Sequence, residues 1–154
     1  MRRYFAFPHP VNETATRITA GGVVVLAALT LGLQQRWLLV PLAYGFVARV
    51  LFGPRLSPLA RTAVAIGRRR PRYTAGPPKR FAQACGAVFS LAALGFAFAG
   101  LPIVAWGLVG VLLIFASLEA FAGICVGCAV FALGMRAGLV PPETCERCAN
   151  LQLT

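Results

Sequence analysis

Four of the five cysteines in this chain come as two C-x-x-C pairs, Cys125-Val126-Gly127-Cys128 and Cys145-Glu146-Arg147-Cys148, separated by Ala129 to Thr144. Thiols at i and i+3 share a helix face, and their Cα atoms fall within the roughly 4.4–6.8 Å that a disulfide permits. Such a pair closes reversibly when one sulfur has thiolate character, which a helix terminus or a cation such as Arg136 or Arg147 would supply. The first chemistry is therefore thiol redox or sulfur transfer. Cys125 and Cys128 would be the reactive pair, with Cys145 and Cys148 exchanging electrons or sulfur with them or with a soluble thioredoxin-like or rhodanese-like partner. The second is a structural metal site, because two pairs about 15–20 residues apart match a zinc pattern in which four thiolates close a tetrahedron at about 2.3 Å. Against zinc stands the apolar setting Gly-Ile-Cys-Val-Gly-Cys-Ala-Val-Phe of the first pair, which reads as the end of a membrane helix, and the two pairs meet only if the chain folds back. A third class, a non-enzymatic scaffold or complex subunit, would leave the cysteines with little to do. Zinc is the one cofactor these residues suggest, and whether the chain is an enzyme stays open.

Glu119 is the second candidate, since an ionisable group inside a membrane span costs several kcal/mol unless it is paired, protonated or wetted. Its reach includes Arg49 and Arg17, with which it would form an ion pair joining the helices; the sharper role is proton acceptor beside Cys125 and Cys128. Six residues separate Glu119 from Cys125, which places them on different helix faces unless the chain bends at Gly123. Cys85 stands alone in an apolar run and reads as a small apolar residue. His9, the single histidine, reads as a surface or hydrogen-bonding group. There is no Asp at all, no phosphate loop and no Ser-His-Asp set.

These residues must be positioned by an oily chain. Of 154 residues, 58% are apolar and only 12% charged, against about a quarter charged in soluble proteins. A polar outer shell cannot be built from what remains, which excludes a water-soluble enzyme, a disordered tail and a disulfide-rich secreted module. Apolar runs near 18–33, 37–53, 82–99 and 102–122 each approach the roughly 20 helical residues that cross about 30 Å of hydrocarbon. The expectation is an all-α integral membrane bundle of four transmembrane helices, arranged as two hairpins, in one domain over 1–154. The apolar stretch from Ile103 to Met135 is too long for one crossing and should bend, leaving a cysteine-bearing segment over 123–154. Gly123 with Gly127, and Gly134 with Gly138, give small-xxx-small spacings that let backbones approach and permit a homo-oligomer.

Fifteen Lys and Arg against four Glu give +11. Eight of these cations, from Arg55 to Arg80, lie in the loop over 54–80 with no acidic residue among them. Short basic loops stay cytoplasmic, so both termini should face the cytoplasm of a bacterial inner membrane. Orientation and attraction to anionic lipid headgroups account for the charge, with no nucleic-acid partner. Within the loop, Ser57-Pro58 reads as an N-cap and first-turn proline. Leu56, Leu59, Ala60, Ala63 and Val64 then recur at helical spacing, a short interfacial helix presenting Arg61 and Arg68 to lipid phosphates.

Three separated motifs converge on one family: Val11-Asn12-Glu13 with Arg17; Gly76-Pro77-Pro78-Lys79-Arg80-Phe81-Ala82-Gln83; and Leu118-Glu119-Ala120 followed by Cys125-Val126-Gly127-Cys128. The chain resembles the bacterial membrane family catalogued as domain of unknown function 4395, over nearly its whole length. The tail from Pro141 to Cys148 is similar to the version in actinobacterial members. The resemblance implies a four-span inner-membrane protein and supplies no activity, substrate or cofactor.

Overall fold

Asn12 starts the first helix by accepting, through its side-chain oxygen, the backbone N–H groups of Thr14 and Ala15. In the computed structural model, which describes residues 11–68, 72–74 and 76–139, this cap opens α1 (Glu13–Leu33). The other helices are α2 (Leu39–Phe52), α3 (Pro58–Gly67), α4 (Gly76–Phe98), α5 (Pro102–Ser117) and α6 (Val126–Arg136). A π-helical turn over Leu118–Ala122 extends α5, and a two-residue antiparallel ribbon pairs β1 (Val11–Asn12) with β2 (Tyr73–Thr74).

Four segments are long and apolar enough to cross a membrane: Glu13–Leu33, Arg36–Arg55, Pro77–Phe98 and Pro102–Ala122. The protein is an all-α membrane bundle. Two spans begin earlier than the apolar runs suggest. Asn12 caps six residues ahead of Ile18, and the third span takes in Lys79 and Arg80, which the sequence reading assigned to the loop.

The bundle is not two independent hairpins. α4 and α5 do pack as one, across the tight turn at Gly100. α1 and α2, although consecutive, touch little; α2 lies on α4 and α1 on α5, so the four spans follow one another in the order α2, α4, α5, α1. Small residues on α4 make this possible. Gly86, Ser90, Ala93 and Ala97 follow helical spacing on one face, and a Cβ at Gly86 would overlap the ring of Phe46. Leu39, Leu42, Phe46, Val109 and Leu112 fill the shared interior. Ile103, Val25, Val88 and Leu33 face outward, as lipid-facing side chains do. Trp37, largely exposed, stacks edge-on against Phe98 at 5.6 Å at the end remote from the basic loop, where an aromatic belt residue belongs.

The expected loop helix is present, and Ser57 caps it through the Ala60 N–H. It is held down more firmly than a helix resting on lipid. Gly67 approaches the Ala15 backbone closely enough that a Cβ would sit 3.0 Å from it, and Asn12 Nδ2 donates to the Gly67 carbonyl at 2.9 Å. Asn12 thus caps one helix and latches another.

Candidate functional site

The start of α1, the end of α2, the start of α4 and the end of α5 meet at the basic-loop end of the bundle. There α5 cannot simply stop, because Glu119 sits in its last turn and must be neutralised. Lys79, from the first turn of α4, donates to Glu119 Oε1 at 2.6 Å, with side chains only 8% and 14% exposed. The partner is neither Arg49 nor Arg17. Arg17 instead donates to the carbonyls of Ala120 (3.4 Å) and Phe121 (3.1 Å), satisfying acceptors that the widened turn leaves without helical partners. Arg49 is buried and stacks its guanidinium 4.6 Å above the ring of Phe46.

The chain then reverses at Gly123, whose φ of +72° is left-handed and favours glycine. A Cβ there would lie 3.4 Å from the Arg17 guanidinium. This is the bend that the six-residue spacing required, and it brings Glu119 and Cys125 to the same cavity.

Cys125 is the N-cap of α6. Its sulfur accepts the Cys128 backbone N–H at 3.4 Å and the Cys128 thiol at 2.6 Å. α6 reaches this place because Gly127 has no side chain: a Cβ would fall 2.6 Å from both Cα and Cβ of Ala82. Phe131 continues the contact against Phe81, with ring centroids 5.7 Å apart. Of the two small-xxx-small pairs, Gly123 and Gly127 are therefore a hinge and a packing point, while Gly138 meets nothing within 4 Å.

The two thiols are unequal. The hydrogen bond from Cys128 holds the Cys125 thiol below its ordinary range. Burial and the Glu119 carboxylate work against that shift, whereas Lys79 and the Cys128 N–H favour it. Cys128 is pushed far up, first by the hydrogen bond it donates to Cys125, then by burial and by repulsion from a Cys125 thiolate. The site thus separates an attacking sulfur from a proton-bearing one. Arg136, an expected activator, stands at the opposite end of α6, about 15 Å along the helix, and Lys79 occupies the role.

A cavity of about 240 Å³ opens on Cys125 and is lined also by Glu119, Gln83, Arg49, Phe46 and Cys85. No hydrogen bond links Cys85 to the pair. Cys145, Cys148, Arg147 and His9 lie outside the described residues, so the four-thiol zinc arrangement does too. Among the described residues, no three His, Cys, Asp or Glu side chains gather as a metal centre requires. Lys79 is the participant that sequence reasoning missed. Its signal was the run Gly76-Pro77-Pro78, in which prolines at the first helical positions place Lys79 inside α4 rather than in the loop.

The family described as "Domain of unknown function (DUF4395)" matches residues 11–136, which take in the Asn12 and Ser57 caps, all four spans and the first cysteine pair. No curated protein and no solved structure matches the chain.

Proposed function

From the premise that this chain belongs to the DUF4395 family, we propose that it is a thiol redox relay of the bacterial inner membrane, with the Cys125–Cys128 pair working at the cytoplasmic rim. The observation that carries this reading is the pair itself: two free thiols 2.6 Å apart at a helix N-terminus, one lowered and one raised in acidity, beside a Lys–Glu pair. Purely structural cysteines have no need of such a division.

In the exchange, the Cys125 thiolate attacks one sulfur of a partner protein's disulfide. A new S–S bond forms, the partner's bond breaks, and its second sulfur leaves as a thiolate. Cys128 then gives up its proton, with Glu119 the nearest carboxylate to take it, and attacks Cys125 Sγ. The mixed disulfide breaks and releases the partner's other thiolate. The Cys pair has lost two electrons and two protons, and the partner disulfide has gained them. A dithiol of thioredoxin-like class, or the pair Cys145 and Cys148, would reduce Cys125–Cys128 again. Sulfur carriage uses the same thiolate, with a rhodanese-like persulfide as donor. Cytoplasmic placement draws support from the basic loop at the same end of the bundle as the thiols.

The test is a trapping experiment with the full chain in native membranes, using an oxidised thioredoxin-like protein as bait. Cys128→Ser should accumulate a mixed disulfide mapped to Cys125, while the unaltered chain releases reduced bait and traps none. Cys125 alkylating no faster than Cys85, or four thiols inert with and without reductant, would overturn the reading.

A further inference from the structure

Polar side chains in the spans look after themselves. Thr16, Thr19, Thr30, Ser90 and Ser117 each donate to a carbonyl three or four residues back, at 2.7–2.8 Å. Glu119 is taken by Lys79. Against that background, the buried side-chain nitrogen and oxygen atoms without a hydrogen-bond partner among the described residues are Nε and Nη1 of Arg49 and Oε1 of Gln83. A buried charge with two idle nitrogens is costly, and such groups in membrane interiors mark sites that bind.

Arg49 is only 5% exposed, yet it lines two cavities at once: the one beside Cys125 and a second of about 270 Å³. The second carries Arg49, Arg68 and Lys79 on its walls and no carboxylate. Gln83 borders both cavities, and a half-turn of its terminal amide presents either an acceptor or a donor. The Phe46 ring supports the guanidinium from one side, and Gly86 leaves room for that ring. We infer that Arg49, with Lys79 and Gln83, forms a binding site for a small oxyanion of sulfur or phosphorus bearing one or two negative charges. The volume lies just under the roughly 300–1,000 Å³ of clefts that take drug-sized ligands, which suits a tetrahedral anion with its waters. The site rests on charge and geometry alone and stands whether or not the neighbouring thiols exchange electrons.

Sulfate and phosphate are the probes, titrated into the detergent-purified full chain at ionic strength held constant with potassium chloride, with thermal unfolding and calorimetry as readouts. Saturable stabilisation is expected. Arg49→Lys should weaken it at least tenfold and Arg49→Met should abolish it, while Arg61→Gln, at an exposed position of α3, should leave it unchanged. A parallel phosphorus assay on extracted lipid separates the two sources of such an anion. Phospholipid retained by the unaltered chain and lost from Arg49→Lys assigns the site to a headgroup phosphate; displacement or binding by free sulfate assigns it to a soluble anion. Unaltered protein that shows neither saturable stabilisation nor retained phospholipid overturns the inference, as does equal binding by the unaltered chain and Arg49→Lys. Arg49→Lys keeps the charge, so this comparison survives even if Arg49→Met does not fold.

Discussion

Adding one methyl group at Gly127 tests whether α6 must lie against α4 for the thiols to work. In the structure the new Cβ would stand 2.6 Å from Cα and Cβ of Ala82, and ordinary contact begins at 3.4 Å, so the helices must part by about 0.8 Å. The obstructing atoms are backbone and its attached Cβ, not the far end of a flexible side chain, so α6 has to move as a body. Overpacking of this kind costs about 1–3 kcal/mol. Gly95→Ala, in the same helix as Ala82, supplies the control: nothing lies within 4 Å there, and the change should be neutral or stabilise by about 0.4–1 kcal/mol. The assay pairs reversible unfolding in mixed micelles with the rate of Cys125 alkylation across pH. Gly127→Ala should lower stability and carry Cys125 away from Lys79, so that its alkylation profile moves toward that of an ordinary thiol. Equal stability and equal profiles for the two alanine variants would refute the packing argument.

The charged pair makes predictions of opposite sign. Glu119 disfavours the Cys125 thiolate and Lys79 favours it. Glu119→Gln should therefore move the inflection of Cys125 alkylation to lower pH and Lys79→Met to higher pH, the rate falling as pH drops through it. Either change also breaks a nearly buried pair, and a loss of about 3–5 kcal/mol is expected in unfolding titrations. Asn12→Ala removes the cap of α1 and the bond to Gly67, and should cost about 1–2 kcal/mol, with proteolysis between α3 and α4 accelerated. Gly123→Ala forces an L side chain to φ +72° beside Arg17, at a cost of about 1–2 kcal/mol, and should slow alkylation-sensitive closure of Cys125 with Cys128 as measured by oxidative titration.

The spans were legible because hydrocarbon demands uninterrupted apolar length, and four runs supply it. Ser57-Pro58 and the first cysteine pair were legible for local reasons, being signals complete within a few residues. What escaped was set by distant contacts. Lys79 read as one cation among eight in a loop until its partner, forty positions away, fixed it inside α4. Arg49 read as a candidate partner of Glu119, whereas in the structure it lies over the Phe46 ring, for which Gly86 leaves room. The bend at Gly123 was anticipated as a condition for Glu119 to meet Cys125; its direction, back along α4, depends on Ala82 being small where Gly127 arrives. A two-residue ribbon such as β1–β2 carries no periodicity from which to read it.

Arg17 holds carbonyls that lie 103 and 104 positions further along the chain. During synthesis the first helix is therefore made long before the turn it clasps, and Cys125 and Cys128 emerge later still. Until that clasp forms, the reversal that seats Cys125 beside Lys79 has no hold on α1 and rests on the contacts of Gly127 and Phe131 with α4.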